Sequence, residues 1–192
     1  MNEFDPLVVA AMARWPDVPA VYGWLRLDRR GQWYLIDRGQ PGFDPVAHGA
    51  GSLITSPPIL AFIARNYGAT ADGRWFWQNG PQRVFVDLDL APRIIRVVGE
   101  GRQSVLVDHT GQVLGPVAEA ALSGAGDLWL KDSRGWGAVH DLDLAALDIE
   151  AATEGGLILC WKRQSLRLES VEGPEASFGF ERAPRPVSDR VT

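Results

Sequence analysis

Apolar and polar residues alternate along this chain in short bursts of period two, interrupted by a few runs of helical period. From Val21 to Ile36 the pattern reads strand, turn, strand. Asp28-Arg29-Arg30-Gly31 suits the turn, with aspartate first and glycine last in a type I geometry. A second hairpin has Arg74 to Trp77 and Val84 to Leu90 as arms and turns near Asn79-Gly80-Pro81. Pro81 has no N–H for the ladder, so a loop longer than the two-residue Asn-Gly type is expected. Strands are predicted at Ile94–Val98 and Ser104–Val107, followed by the turn Asp108-His109-Thr110-Gly111. Two more, Leu128–Lys131 and Ala138–Leu144, flank Asp132-Ser133-Arg134-Gly135. A last hairpin joins Leu157–Trp161 to Leu166–Val171, where Leu166 and Leu168 alternate with Arg167 and Glu169.

Three helical runs each follow an X-Pro step: Asp5-Pro6, Ser56-Pro57 and Gly115-Pro116. Proline suits the first helical position, where its missing N–H would find no partner anyway. In the first run Asp5 is a good N-cap, and Leu7, Ala11 and Trp15 share a face with Val8 and Met12 beside them. In the second, Ile59, Phe62, Ile63 and Tyr67 share a face and Gly68 is placed as the C-terminal cap. The third, Pro116–Leu122, is weak. Residues 38–53 are rich in glycine and proline and read as a long loop.

The predicted fold is α+β: mainly antiparallel β hairpins and sheets, roughly ten strands, with two or three short helices packed against them. Short connections favour antiparallel pairing over βαβ units. Residues 1–172 are read as a single globular domain, or as two repeated helix–hairpin halves of about 1–98 and 99–172. Laying 73–91 on 127–145 gives six identities in 19 positions, among them Trp75 on Trp129 and Asp87-Leu88-Asp89-Leu90-Ala91 on Asp141-Leu142-Asp143-Leu144-Ala145. Aspartate–leucine alternation is common enough for chance to explain the match equally well. Residues 173–192, with Pro174, Pro184 and Pro186, are expected to be an extended tail anchored by Phe178 and Phe180.

Composition narrows the function classes. Hydrophobic residues at 46% and charged ones at 22% make an ordinary globular balance, and most of the eight tryptophans lie in or next to the hairpins. A net charge of −5 argues against a non-specific nucleic-acid binder. One cysteine, Cys160, excludes an internal disulfide and a multi-thiolate metal site, and its apolar surroundings suggest a buried thiol. Glu3 and Asp5 stand where a secretory leader would be basic, although Ala11-Met12-Ala13 faintly imitates a cleavage site. No apolar run approaches the ~20 residues of a spanning helix. The expectation is a soluble, cytoplasmic bacterial protein with no cofactor and no membrane or nucleic-acid partner.

The candidate chemistry is thin. His48, His109 and His140 have no second ligand at metal spacing. His109 at a turn centre should be exposed. His140 should face the core with Leu142 and Leu144, its imidazole hydrogen-bonded to backbone, in preference to acting as a base. Asp87, Asp89, Asp141 and Asp143 would suit a hard cation only if two strands brought them together, and solvated alternation explains them without a metal. Gly49-Ala50-Gly51-Ser52 lacks the lysine and the frame of a phosphate loop. No catalytic residue and no metal ligand is assigned.

The aromatic hairpin offers the best surface. If Phe76 points inward, Trp75 and Trp77 stand outward beside Gln78, Asn79, Gln82 and Arg83, a platform for a peptide or sugar. The blander reading, with both faces buried, is the favoured one. The binding residues assigned are Arg74, Trp77, Asn79, Gln82 and Arg83.

The stretch Gly73-Arg74-Trp75-Phe76-Trp77-Gln78-Asn79-Gly80-Pro81-Gln82-Arg83-Val84-Phe85-Val86-Asp87-Leu88 resembles an uncharacterised proteobacterial family, a domain of unknown function. The similarity extends through the preceding helix and Gly31-Gln32-Trp33-Tyr34. It implies a bacterial soluble origin and brings no activity or site to carry over. Two function classes therefore stand: a non-enzymatic binding or protein-interaction protein, with an unknown protein or small molecule as ligand, and a small-molecule enzyme with a pocket near the 38–53 loop and His48. An oligomeric subunit is left open.

Overall fold

The computed structural model describes residues 4–186. The chain divides into two compact units. One holds the chain up to Leu90 together with the segment from Phe180 onward, and the other is Ala91–Gly179. Fourteen strands form two mixed, mostly antiparallel sheets, one of six strands and one of eight, with short helices: an α+β fold.

The first unit runs α1 (Pro6–Arg14), β1 (Val21–Leu27), β2 (Trp33–Leu35), α2 (Pro45–His48), β3 (Ser52–Leu53), α3 (Pro57–Arg65), β4 (Tyr67–Ala69), β5 (Trp75–Asn79) and β6 (Gln82–Leu88). Its sheet order is β3-β2-β1-β6-β5-β4, with β1 and β6 parallel. Asp5 caps α1 by accepting from the Leu7 N–H at 3.0 Å. The buried residue of that helix is Val8, whereas Leu7, expected on the inner face, is 82% exposed. The second helix ends at Arg65, and Tyr67 and Gly68 belong to strand β4, so Gly68 caps nothing. Part of the predicted 38–53 loop is ordered as α2 and β3.

The β5–β6 loop corrects the expectation of a long turn. Asn79 pairs with Gln82, so Gly80-Pro81 alone makes the connection. Gly80 takes φ 56° and proline holds its own φ negative, the sign pair of a type II′ turn. In the loop Pro81 has no ladder hydrogen bond to forfeit.

The second unit comprises β7 (Ile94–Val98), β8 (Val105–Asp108), β9 (Glu119–Ser123), β10 (Leu128–Asp132), β11 (Gly135–Val139), β12 (Asp148–Ala151), β13 (Leu157–Trp161), β14 (Gln164–Val171) and α4 (Pro174–Phe178). Its order is β12-β13-β14-β9-β10-β11-β7-β8. The predicted helix at Pro116–Leu122 is a strand. Ala120 and Ala121 are buried, and β9 lies between β10 and β14, so two ladders override the helical preference of alanine. The strand expected over Ala138–Leu144 stops at Val139. A 3-10 turn follows from Asp141 to Ala146, which leaves Leu142 in solvent.

The tail expected from 173 onward contains α4, whose Phe178 stacks on Trp136 at 4.1 Å and leans on Trp129 at 5.0 Å. Further on, the Arg182 carbonyl accepts from the Leu88 N–H at 2.7 Å, and Arg185 pairs with Asp87 at 2.7 Å. Residues 187–192 of that predicted tail lie outside the described residues.

Each unit, considered separately, contains the same five-strand order. β2-β1-β6-β5-β4 and β8-β7-β11-β10-β9 share relative directions: antiparallel, parallel, antiparallel, antiparallel. In this correspondence β5 and β6 match β10 and β11, and Phe76 falls on Trp129. The sequence alignment of Trp75 with Trp129 is one residue out of register, which exchanges the two sheet faces.

Candidate binding face on the six-stranded sheet

Period-two geometry sorts the first unit's side chains. Leu25, Leu27, Trp33, Tyr67, Val84, Val86 and Leu88 point inward to a core that includes Ile63 of α3. Trp75 and Trp77 join this side: Trp75 lies 5.0 Å from Tyr67, and Trp77 meets the edge of Phe62 at 5.8 Å. The opposite face carries Tyr22, Arg26, Phe76, Gln78, Arg83 and Phe85. A bulge in β1, with Gly23 at φ 70°, brings Tyr22 parallel to Phe85 at 4.6 Å. Arg83 lies over Phe76 at 4.2 Å and Arg74 over Phe85 at 5.0 Å.

The five residues assigned from sequence do not form one surface. Arg74 and Arg83 share the outer face, while Trp77 is turned to the inner one. Asn79 and Gln82 face each other at the hairpin tip, where Gln82 Nε2 donates to the Pro19 carbonyl at 3.3 Å. Tyr22 and Phe85 complete the outer cluster and were not singled out from sequence. The available signal was the Gly80-Pro81 turn, because a two-residue loop sets Gln78 opposite Arg83 and fixes which residues share a face.

The two cations are neutralised unequally. Arg74 Nε donates to Asp72 at 2.9 Å, and the Thr70 hydroxyl, then Arg74, hold the Asp72 carboxyl below its usual range. No carboxylate pairs with Arg83 among the described residues. Burial, then the like charge of Arg74, lowers the Arg83 guanidinium from its ordinary value, and its Nε is shielded without a hydrogen-bond partner. Directly across the register, Gln78 is 1% exposed. Its Nε2 donates to the Gly80 carbonyl at 2.9 Å, while Oε1 is buried with no partner. Arg83 and Gln78 are thus cross-strand neighbours on a face whose rings are also buried: Phe76 and Phe85 are 4% and 3% exposed, and Phe4 packs on Phe76 at 6.0 Å.

The other candidates are engaged elsewhere. His48 is exposed and its Nδ1 accepts from the Asp44 N–H at 2.9 Å, closing the short helix α2. His140 is buried, and its Nδ1 accepts from the Leu142 N–H at 3.1 Å, the backbone role expected of it. His109 is half-buried, not exposed: its Nδ1 accepts from the Ile94 N–H at 3.2 Å, and burial pushes its pKa down to about 4. Asp87 pairs with Arg185, Asp89 with Arg26, and Asp143 with Arg96, so these carboxylates are spent on arginines. Among the described residues no group of three or more His, Cys, Asp or Glu is arranged to hold a metal. Cys160 is half-buried in β13.

The second unit contains a buried ionic cluster. Arg93 Nη1 donates to Asp132 at 2.8 Å and to the Gly135 carbonyl at 2.9 Å, and its Nε reaches Asp108 at 3.3 Å. Arg134 bridges the same two carboxylates and the Gln112 side chain. Each carboxylate opens an Asp-x-x-Gly turn, and their oxygens also accept backbone N–H groups of those turns. With two cations, two anions and these hydrogen bonds in place, the cluster ties two turns together and leaves little capacity for a ligand.

A family model described as "Protein of unknown function (DUF2946)" matches residues 4–185. Among solved structures, a DUF1285 family protein from Silicibacter pomeroyi DSS-3 is similar at 19% identity, covering 88% of this chain and 97% of that one, with a TM-score of 0.50. A second DUF1285 family protein, from Shewanella baltica OS155, gives 16% identity over 64% of this chain and 88% of that one, with a TM-score of 0.43. The first likeness supports the fold alone. The comparison with curated proteins gives no match. No helix among the described residues is long and apolar enough to cross a membrane.

Proposed function

The chain belongs to the DUF2946 family of proteins of unknown function, and within it we propose a non-enzymatic, cytoplasmic binding protein whose ligand surface is the outer face of the six-stranded sheet. The observation that carries this reading is Arg83, a shielded cation over Phe76 with no carboxylate partner among the described residues. A half-buried charge left uncompensated beside a second cation costs stability, and such costs are commonly retained where a ligand supplies the missing partner. Of the rings on this face, Phe76 and Phe85 are buried at 4% and 3% exposure, and the half-exposed Tyr22 stacks on Phe85, so Tyr22 is the aromatic edge this face leaves open.

The enzyme reading loses its base, because the His48 ring nitrogen that would act is committed to the Asp44 N–H in an exposed turn. Amide NMR of the full chain, titrated with a library of small anions, amides and short peptides, tests the proposal. Shifts should cluster at residues 74–78 and 83–87. Shifts confined to residues 38–53, or none from any compound, would overturn it.

A further inference from the structure

We propose that Asn79 is a site of spontaneous covalent change, where ring closure onto the Gly80 nitrogen converts the tip of the β5–β6 hairpin to isoaspartate. The chain has three asparagines, Asn2, Asn66 and Asn79, and glycine follows only Asn79. Attack by the next main-chain nitrogen on the side-chain carbonyl carbon is hindered chiefly by the next residue's side chain. Gly80 has none, and a Cβ placed there would have no neighbour within 4 Å, so the approach is open. The Asn79 side chain is exposed, and none of the described residues hydrogen-bonds its carboxamide. Asn66 is the internal contrast. It is fully buried and followed by the bulky Tyr67. Its Oδ1 accepts from the Asp5 N–H at 2.9 Å, and its Nδ2 donates to the Phe62 carbonyl at 3.0 Å.

The reaction consumes water and releases ammonia. The Gly80 nitrogen gives its proton to solvent and attacks Cγ of Asn79. The N–Cγ bond forms, the Cγ–Nδ2 bond breaks, and the leaving nitrogen takes a proton from water to depart as ammonia. Both reacting groups belong to one chain, so no encounter is needed. Water then opens the cyclic imide. Addition at Cγ gives aspartate, whereas addition at the main-chain carbonyl carbon gives isoaspartate, whose main chain runs through Cβ and Cγ. The pairing of Asn79 with Gln82 holds the strand end extended, so the ring closes when this last pair opens. Isoaspartate lengthens the main chain by one carbon. A two-residue type II′ turn cannot absorb it and keep the register that sets Gln78 opposite Arg83.

Trypsin cuts after Arg65, Arg74 and Arg83, which puts Asn66 and Asn79 in separate peptides, 66–74 and 75–83. The full chain, aged at pH 8.5 and 37 °C and mapped by mass spectrometry, should convert 75–83 from amide to acid while 66–74 keeps its amide. Isoaspartate, identified by electron-transfer fragmentation, should exceed aspartate. Conversion should be at least fivefold slower at pH 6.5, because the deprotonated Gly80 nitrogen is the nucleophile. Asn79→Gln, which would have to close a larger ring, should stay unchanged over the same period. Amide NMR of the aged fraction should show shifts across residues 76–85, and unmoved amides there would overturn the loss of register. Peptide 75–83 of the folded chain still unconverted after ten half-times of the free synthetic peptide, or converted to aspartate alone, overturns the proposal.

Discussion

At the scale of single residues, Gly23 shows how one backbone position sets up the outer face. Its φ of 70° lies where L side chains are rarely found, and it sits in the β1 bulge that seats Tyr22 on Phe85. A methyl group there would meet the tip of the Arg38 guanidinium at 2.8 Å, a flexible neighbour that can move aside, so the dihedral decides the outcome. Gly23→Ala should cost about 1 kcal/mol or more, measured by urea unfolding, and should shift the Tyr22 ring resonances. An unchanged midpoint would mean that the bulge relaxes freely. At this scale the sequence was partly legible. Arg74 and Arg83 stand out as cations among aromatics, but their shared face depends on a turn whose length was misjudged. The burial of His140 and its backbone hydrogen bond are legible in the sequence, but the strand face expected to carry it with Leu142 is absent, since the strand ends at Val139 and Leu142 is exposed. His109 is not legible in this way, because Asp-x-x-Gly turns usually lie in solvent, whereas Asp108 of this one is tied to Arg93 and Arg134.

At the scale of elements, the X-Pro signature proved more general than its first use. Asp44-Pro45 and Gly173-Pro174 also open helices, whose four and five residues are too few to show a 3.6 period in the sequence. Gly115-Pro116 opens none. The stretch after it has alanines that local propensity assigns to a helix, yet their small side chains suit a strand with neighbours on both sides. Ala121 is fully buried between Trp129 of β10 and Glu169 of β14. Ala121→Leu should destabilise by about 1–3 kcal/mol through overpacking, whereas a helix at this point would tolerate leucine. The thermal midpoint of the variant checks this, and an increase would contradict the strand. The Asp-Leu-Asp-Leu run misled for a related reason: alternation is preserved in sequence, but beyond Val139 the backbone tightens into a 3-10 turn capped by His140.

At the scale of the whole molecule, acid should act on the second unit through identifiable groups. In the folded state burial favours the neutral His109 imidazole and takes its pKa to about 4, against 6.5 unperturbed. The native form thus binds fewer protons than the unfolded chain between those values. His109's contribution is intact above pH 6.5 and declines as pH falls towards 4, by up to about 1.4 kcal/mol per pH unit. For Asp108 and Asp132 burial alone would raise the pKa, but Thr110 and His109 beside Asp108, and the Arg93 guanidinium beside both, hold them below 3.8. Their stabilisation is lost only as pH drops below that value. Urea unfolding at pH 7, 5.5 and 4.5 should show this loss, and His109→Asn should flatten it. Equal stability of the wild type at all three pH values would refute the shielded imidazole.

The path of the chain has a consequence for how the protein is made. The first unit is left at Leu90 and resumed at Phe180, so the hydrogen bond from the Leu88 N–H to the Arg182 carbonyl waits until the second unit has been translated. A nascent chain halted before that point would carry a β6 whose end, the Leu88 N–H and the Asp87 carboxylate, still lacks these late-arriving partners. Closure of this end of the six-stranded sheet therefore depends on synthesis having passed through the whole of the second unit.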